Sequence, residues 1–125
     1  MITPLISVVD DDHSVRESLA RLIRSVGFRV QLFESAEDFL GETAGRRADC
    51  LLLDVRMPGM NGLNLQRELS ATDRDLPVIF ITAHDEAGVR DRALAAGAVA
   101  FLRKPFNDEL FIKTLRVALK EDTGE

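Results

Sequence analysis

The stretch Cys50-Leu51-Leu52-Leu53-Asp54-Val55-Arg56-Met57-Pro58-Gly59-Met60-Asn61-Gly62-Leu63 sets the frame for the rest of the chain. Between Ala48 and Val55, Leu51-Leu52-Leu53 is apolar at consecutive positions. A strand of that kind has both faces buried, as a central parallel strand does. It stops on a carboxylate, Asp54. The Pro, Gly and Asn content of Met57 to Gly62 makes a loop, and Leu63 to Leu69 reads as a helix.

The same strand–loop–helix unit recurs outward in both directions. Toward the N-terminus, Leu5 to Val9 is an apolar run long enough for a buried strand. Val15, Leu19, Leu22, Ile23 and Val26 then recur at helical spacing, and Gly27 supplies the C′ residue. Phe28 to Phe33 alternates apolar and polar, the pattern of a strand near a sheet edge. Ser35 with Asp38 resembles a capping box, opening a helix that carries Phe39 and Leu40 and ends around Gly41, Gly45 and Arg46-Arg47. Toward the C-terminus, Pro77 closes a connection and Val78-Ile79-Phe80-Ile81 is a second fully buried strand. Glu86 to Ala96 reads as an Ala-rich helix with Gly97 after it, and Val99 to Leu102 as a short strand. Pro105 breaks the chain, and Asn107 or Asp108 caps a last helix over Leu110 to Leu119. Strict alternation of five strands and five helices predicts an α/β fold, a parallel sheet with right-handed crossovers and helices on both faces.

Composition narrows the function classes. The 125 residues are 46% hydrophobic and 30% charged, the balance of one compact globular domain over 1–125, with 119–125 as a polar tail or the start of a linker. Sixteen basic against twenty-one acidic residues give a net charge of −5, which provides no electrostatic footprint for nucleic acid and no basic membrane patch. The apolar runs are only a few residues long, too short to span a bilayer, and no secretory signal is expected at the start. The lone Cys50 cannot form an internal disulfide, so a cytoplasmic location is expected.

In open parallel sheets, chemistry gathers at the carboxyl ends of the strands. Here those ends carry Asp10-Asp11-Asp12, Asp54, Thr82 followed by Ala83-His84, and Lys104-Pro105. Carboxylates placed together repel unless a cation intervenes. An oxygen-only set with few carboxylates suits Mg²⁺, which shares its shell readily with phosphate oxygens. Lys104 and Thr82 add a point charge and a donor suited to a phosphoryl group. The constellation therefore reads as a Mg²⁺-dependent phosphoryl site with an aspartate as acceptor.

The motifs Val8-Val9-Asp10-Asp11-Asp12, Leu53 to Gly62, Ile81-Thr82-Ala83 and Phe101-Leu102-Arg103-Lys104-Pro105-Phe106 resemble those of a two-component response-regulator receiver domain, over nearly the whole chain. Asp-Val-Arg-Met-Pro-Gly-Met and Phe-Ile-Thr-Ala-His resemble the FixJ type, in which a helix-turn-helix transcription domain usually follows the receiver. The resemblance implies a flavodoxin-like (βα)5 fold with strand order 2-1-3-4-5. It implies Asp54 as phospho-acceptor from a sensor histidine kinase, Asp11 as a direct Mg²⁺ ligand, Asp10 as one acting mostly through water, and the carbonyl of Arg56 as a further ligand. Thr82 and Lys104 would hold phosphoryl oxygens, Phe101 would be the aromatic whose rotamer follows Thr82, and Lys104–Pro105 would be cis. The domain would be a slowly self-hydrolysing switch, not a turnover enzyme. Phosphorylation would change the face of the fourth helix and fifth strand, where Val89, Arg90, Ala93, Leu94 and Arg103 lie, and could pair two copies.

Each residue has a plainer reading. Asp12 can serve only as a helix cap. His84 is placed at the site entrance and His13 in a loop; two histidines without a Cys partner argue against a transition-metal centre. Cys50 reads as a small core hydrophobe, and Met57 and Met60 as loop and partner-surface residues. A haloacid-dehalogenase-type phosphatase would use Asp10 and Asp12 but give Asp54 no role. A flavodoxin-like cofactor binder would need a Ser/Thr/Gly phosphate loop where three aspartates stand. A pseudo-receiver acting only as an interaction module would not need the intact acidic set.

Overall fold

The computed structural model describes residues 3–42, 48–72, 76–83 and 88–120. Five strands, β1 (Leu5–Val9), β2 (Arg29–Phe33), β3 (Cys50–Leu53), β4 (Val78–Thr82) and β5 (Ala100–Arg103), alternate with five helices. The helices are α1 (His13–Ser25), α2 (Ala36–Glu42), α3 (Gly62–Thr72), α4 (Val89–Ala95) and α5 (Asp108–Ala118). All pairings are parallel and the order is β2-β1-β3-β4-β5, as expected. β2 is an edge strand of intermediate exposure, whereas every residue of β1, β3 and β4 is buried.

Side chains that alternate along each strand divide the core into two layers. Ile6, Val8, Cys50, Leu52, Ile79 and Ile81 pack against Leu19 and Ile23 of α1 and Phe111 and Leu115 of α5. Val9, Leu51, Leu53, Val78 and Phe80 face the other way, against Phe39 of α2, Leu65 and Leu69 of α3, and Val89 and Ala93 of α4. Each large side chain so buried contributes roughly 1.5–3 kcal/mol relative to exposure.

Register brings the strand ends level. Val9 pairs with Leu53, Leu53 with Phe80 and Phe80 with Phe101. Asp10 and Asp54, each one residue beyond that row, therefore emerge side by side. Thr82 pairs with Arg103, which places Lys104 next to the end of β4.

Several boundaries differ from expectation for local reasons. α1 begins at His13, because Asp12 caps it by accepting from the N–H groups of Ser14 and Val15; His13 is thus a helical residue, not a loop one. Gly62 is the first residue of α3, because the chain turns against itself there. A Cβ at Gly62 would collide with the carbonyl oxygen of Asp54 and lie 3.0 Å from the Phe80 ring. Met57 is buried among the second core layer, not presented to a partner. Val89 and Ala93 also point inward, so the outer face of α4 is carried instead by Arg90, Asp91 and Arg92. The expected start of α4 at Glu86, the Gly45 and Arg46-Arg47 loop, and the tail beyond Lys120 lie outside the described residues. No helix among the described residues is long and apolar enough to cross a membrane.

Candidate functional site

The carboxyl end of the sheet opens into a cleft of about 680 Å³, lined among others by Asp10, Asp11, Asp54, Arg56, Arg92 and Lys104. Carboxylate oxygens from Asp10, Asp11 and Asp54 all lie within 4.8 Å of one another. Asp10 and Asp54 are buried and Asp11 is exposed. The main chain fixes the buried pair: the Asp10 N–H donates to the Phe33 carbonyl at 3.1 Å and the Asp54 N–H to the Val9 carbonyl at 3.0 Å.

Asp10 is fully engaged. One carboxylate oxygen accepts from the Asp12 N–H at 2.9 Å, and the other pairs with Lys104 Nζ at 3.1 Å. Arg16 Nη1 donates to the Asp10 carbonyl at 2.7 Å and so braces the loop from α1. The Lys104 main-chain N–H donates to the Thr82 carbonyl at 2.8 Å, and the Lys104–Pro105 bond is cis, as the resemblance implied.

Asp54 differs in its electrostatics. Burial pushes its carboxyl up from 3.8 to about 6, with the Asp10 charge adding to the rise and Asp11 adding a little. Lys104 and a hydrogen bond from the Arg56 N–H act in the opposite direction but do not cancel the rise. Two buried carboxylates and a third beside them bring negative charge together within 4.8 Å and offer only oxygen donors. Such a set can hold a hard divalent cation, which would relieve the repulsion.

Sequence reasoning placed Asp10, Asp11, Asp54, Arg56 and Lys104 together, and the structure brings them to one cleft. Thr82 ends β4 and is buried, 1% exposed. Phe101 lies partly buried one strand over, its ring 6.1 Å from that of Phe80. His84 lies outside the described residues. Asp12 is spent on its helix cap, so it is not free to act as the second acid of a phosphatase. Arg16 and Arg92 were missed. Arg16 lies four residues beyond the Asp12 cap, one turn into α1, a spacing that could have flagged it; nothing in the sequence around Arg92 marks it.

Comparison with known proteins agrees with this geometry. The family model for the response regulator receiver domain matches residues 6–116. The chain is 44% identical over 116 residues to the response regulator protein TmoT of Ectopseudomonas mendocina, covering 93% of this chain and 53% of TmoT. It is 37% identical over 116 residues to the transcriptional regulatory protein FixJ of Bradyrhizobium diazoefficiens, covering 93% of this chain and 57% of FixJ. The chain thus spans about half the length of the curated relatives it matches. A crystal structure of a response regulator receiver protein from Burkholderia phymatum superposes with a TM-score of 0.86 at 51% identity, covering 96% of this chain and 98% of that one.

Proposed function

The chain belongs to the response regulator receiver domain family, and from that premise we propose that Asp54 is its phospho-acceptor, supplied by a sensor histidine kinase. The observation that carries the reading is the convergence of Asp10, Asp11 and Asp54, with carboxylate oxygens within 4.8 Å, beside a lysine. With a pKa near 6, Asp54 is mostly ionised at neutral pH and able to attack. One of its oxygens bonds to phosphorus as the donor's P–N bond breaks, and the electron pair leaves on the imidazole nitrogen.

Asp11, Asp54, the carbonyl of Arg56 and, through water, Asp10 would hold Mg²⁺, which supplies charge neutralisation between acceptor and donor phosphate. Lys104 exchanges its bond to Asp10 for one to a phosphoryl oxygen. Thr82 turns its hydroxyl to another oxygen, and Phe101 moves into the space released. The acyl phosphate adds about two negative charges to the cleft, so a two-state element built from α4 and β5 is biased by phosphorylation. Slow hydrolysis resets the switch.

On this reading residues 1–125 form one cytoplasmic receiver, with 119–125 leading toward a helix-turn-helix output domain. The regulator names and greater lengths of TmoT and FixJ support that output. Phosphorylation then favours a homodimer through α4 and β5, and the receiver itself makes no contact with nucleic acid. Incubation with acetyl phosphate and Mg²⁺, followed by intact mass and peptide mapping, tests the assignment. One hydroxylamine-sensitive phosphate on Asp54, absent from Asp11→Ala, is the expected result; label on Asp10 or Asp12 overturns it.

A further inference from the structure

We propose that Glu37, in the first turn of α2, is a positioning residue for the loop that follows Asp54. This rests on the roles proposed above for Asp54 and Arg56. The loop begins at the acceptor: the Arg56 N–H bonds the Asp54 carboxylate, and the Arg56 carbonyl is the proposed main-chain metal ligand. Its base is closed by the Gly62 N–H, which donates to the Val55 carbonyl at 2.9 Å, and its middle is held by the buried Met57 side chain. Its tip, Pro58-Gly59, is exposed.

Glu37 reaches that tip from the first turn of α2. Its Oε2 accepts from the Met60 N–H at 3.0 Å, across 23 residues of sequence. The same oxygen lies 2.8 Å from where a Cβ on Gly59 would stand, and Gly59 has φ +78°. The tip thus adopts a left-handed turn, and the carboxylate fills the space that a side chain at 59 would need. The Met60 bond is also the largest influence holding the Glu37 carboxyl below its ordinary range. A charge-assisted bond of this kind is stronger than a neutral one. Because base, middle and tip are all fixed, the Arg56 peptide is held with its N–H toward Asp54 and Arg56 stays in the lining of the cleft. Supporting hydrogen bonds of this sort set how well a metal site binds.

The test compares the parent chain with Glu37→Ala and Glu37→Gln. Two quantities are read: amide exchange at Met60 by NMR, and the Mg²⁺ concentration giving half-maximal labelling by acetyl phosphate. Glu37→Ala should speed Met60 exchange and raise the Mg²⁺ midpoint roughly tenfold, the low end for loss of a supporting bond at a metal site. Labelling at saturating Mg²⁺ and the melting temperature should stay near the parent's. Glu37→Gln, which keeps an acceptor oxygen without the charge, should recover most of both effects. An unchanged Mg²⁺ midpoint in a Glu37→Ala variant whose Met60 amide has been released overturns the proposal. So does a Glu37→Gln variant that protects Met60 yet shows the full shift, since charge and not the bond would then be acting. If the parent itself takes no Mg²⁺-dependent label, the assignment of Asp54 falls first, and the positioning role falls with it.

Discussion

Helices α1 and α4 both follow strands that deliver side chains to the acidic cleft, yet they are anchored in opposite ways. α1 has thirteen residues, a side-chain cap from Asp12 with two hydrogen bonds, and Leu19, Ala20 and Ile23 sunk in the core. α4 has seven residues and opens at Gly88 in the left-handed region, with no side-chain cap bond. Its C-terminal half is held instead, where the buried Gln66 of α3 donates Nε2 to the Ala93 carbonyl at 3.1 Å. The β1–α1 side is therefore the fixed wall of the site. The α4 side lacks such a cap and is held by Val89 and Ala93 in the core and by the Gln66 bond, a lighter anchorage of the kind that local opening draws on.

The largest expected effect is on the chemistry between these walls. Asp54→Asn should abolish labelling by acetyl phosphate while leaving far-ultraviolet circular dichroism unchanged, and retained label would dissolve the distinction between acceptor and frame. Next comes the core under each helix. Ile23→Ala should cost about 2–5 kcal/mol in urea unfolding, whereas Val89→Ala should cost nearer 1–2 kcal/mol, roughly one to two methylenes with little residual cavity. Equal losses would mean that α4 is as firmly built in as α1.

Asp54→Asn also sharpens the comparison through pH. The folded pKa of about 6 lies above the ordinary 3.8, so the folded state binds this proton more tightly than the unfolded one. The cost of ionising Asp54 is absent below about pH 4 and complete above about pH 6. The substitution should therefore stabilise the protein by about 1–3 kcal/mol at pH 7 without Mg²⁺. That gain should fade as the pH is lowered toward 4; a gain that is the same at both pH values would remove burial as its cause. Two smaller effects complete the set. Asp12→Ala should cost about 1 kcal/mol by loss of the cap, read as a lower denaturation midpoint. Gln66→Leu should change global stability by only about 1 kcal/mol, but should accelerate amide exchange in α4 without touching α1. Uniform acceleration in both helices would refute this local role of Gln66.

Much of this was legible in the sequence because it depends on local rules. Leu51-Leu52-Leu53 announced a doubly buried strand, Gly27 and Gly97 marked helix ends, and the polar residue closing each strand pointed to the cleft. What escaped depends on distance in sequence. Met57 looked like a loop residue, since nothing nearby shows that the loop folds back over Leu65 and Phe80. Val89 and Ala93 looked available on an output face because helical spacing gives a face but not its direction. The bond from Lys104 to Asp10 spans 94 residues, and no local pattern announces it. Glu37 and Gln66 act across 23 and 27 residues, and no motif signals either.

The level row of Val9, Leu53, Phe80 and Phe101 has a consequence for anyone who re-engineers the chain. A single residue inserted within β3 or β4 would turn every following side chain to the opposite layer and carry Asp54 or Thr82 out of line. Connections entering the amino ends of the strands, such as Gly27-Phe28 and Leu76-Pro77, lie at the end remote from the cleft. Reporter segments, affinity handles or a spliced sensor module belong there, where lengthening the chain leaves the chemical edge in register.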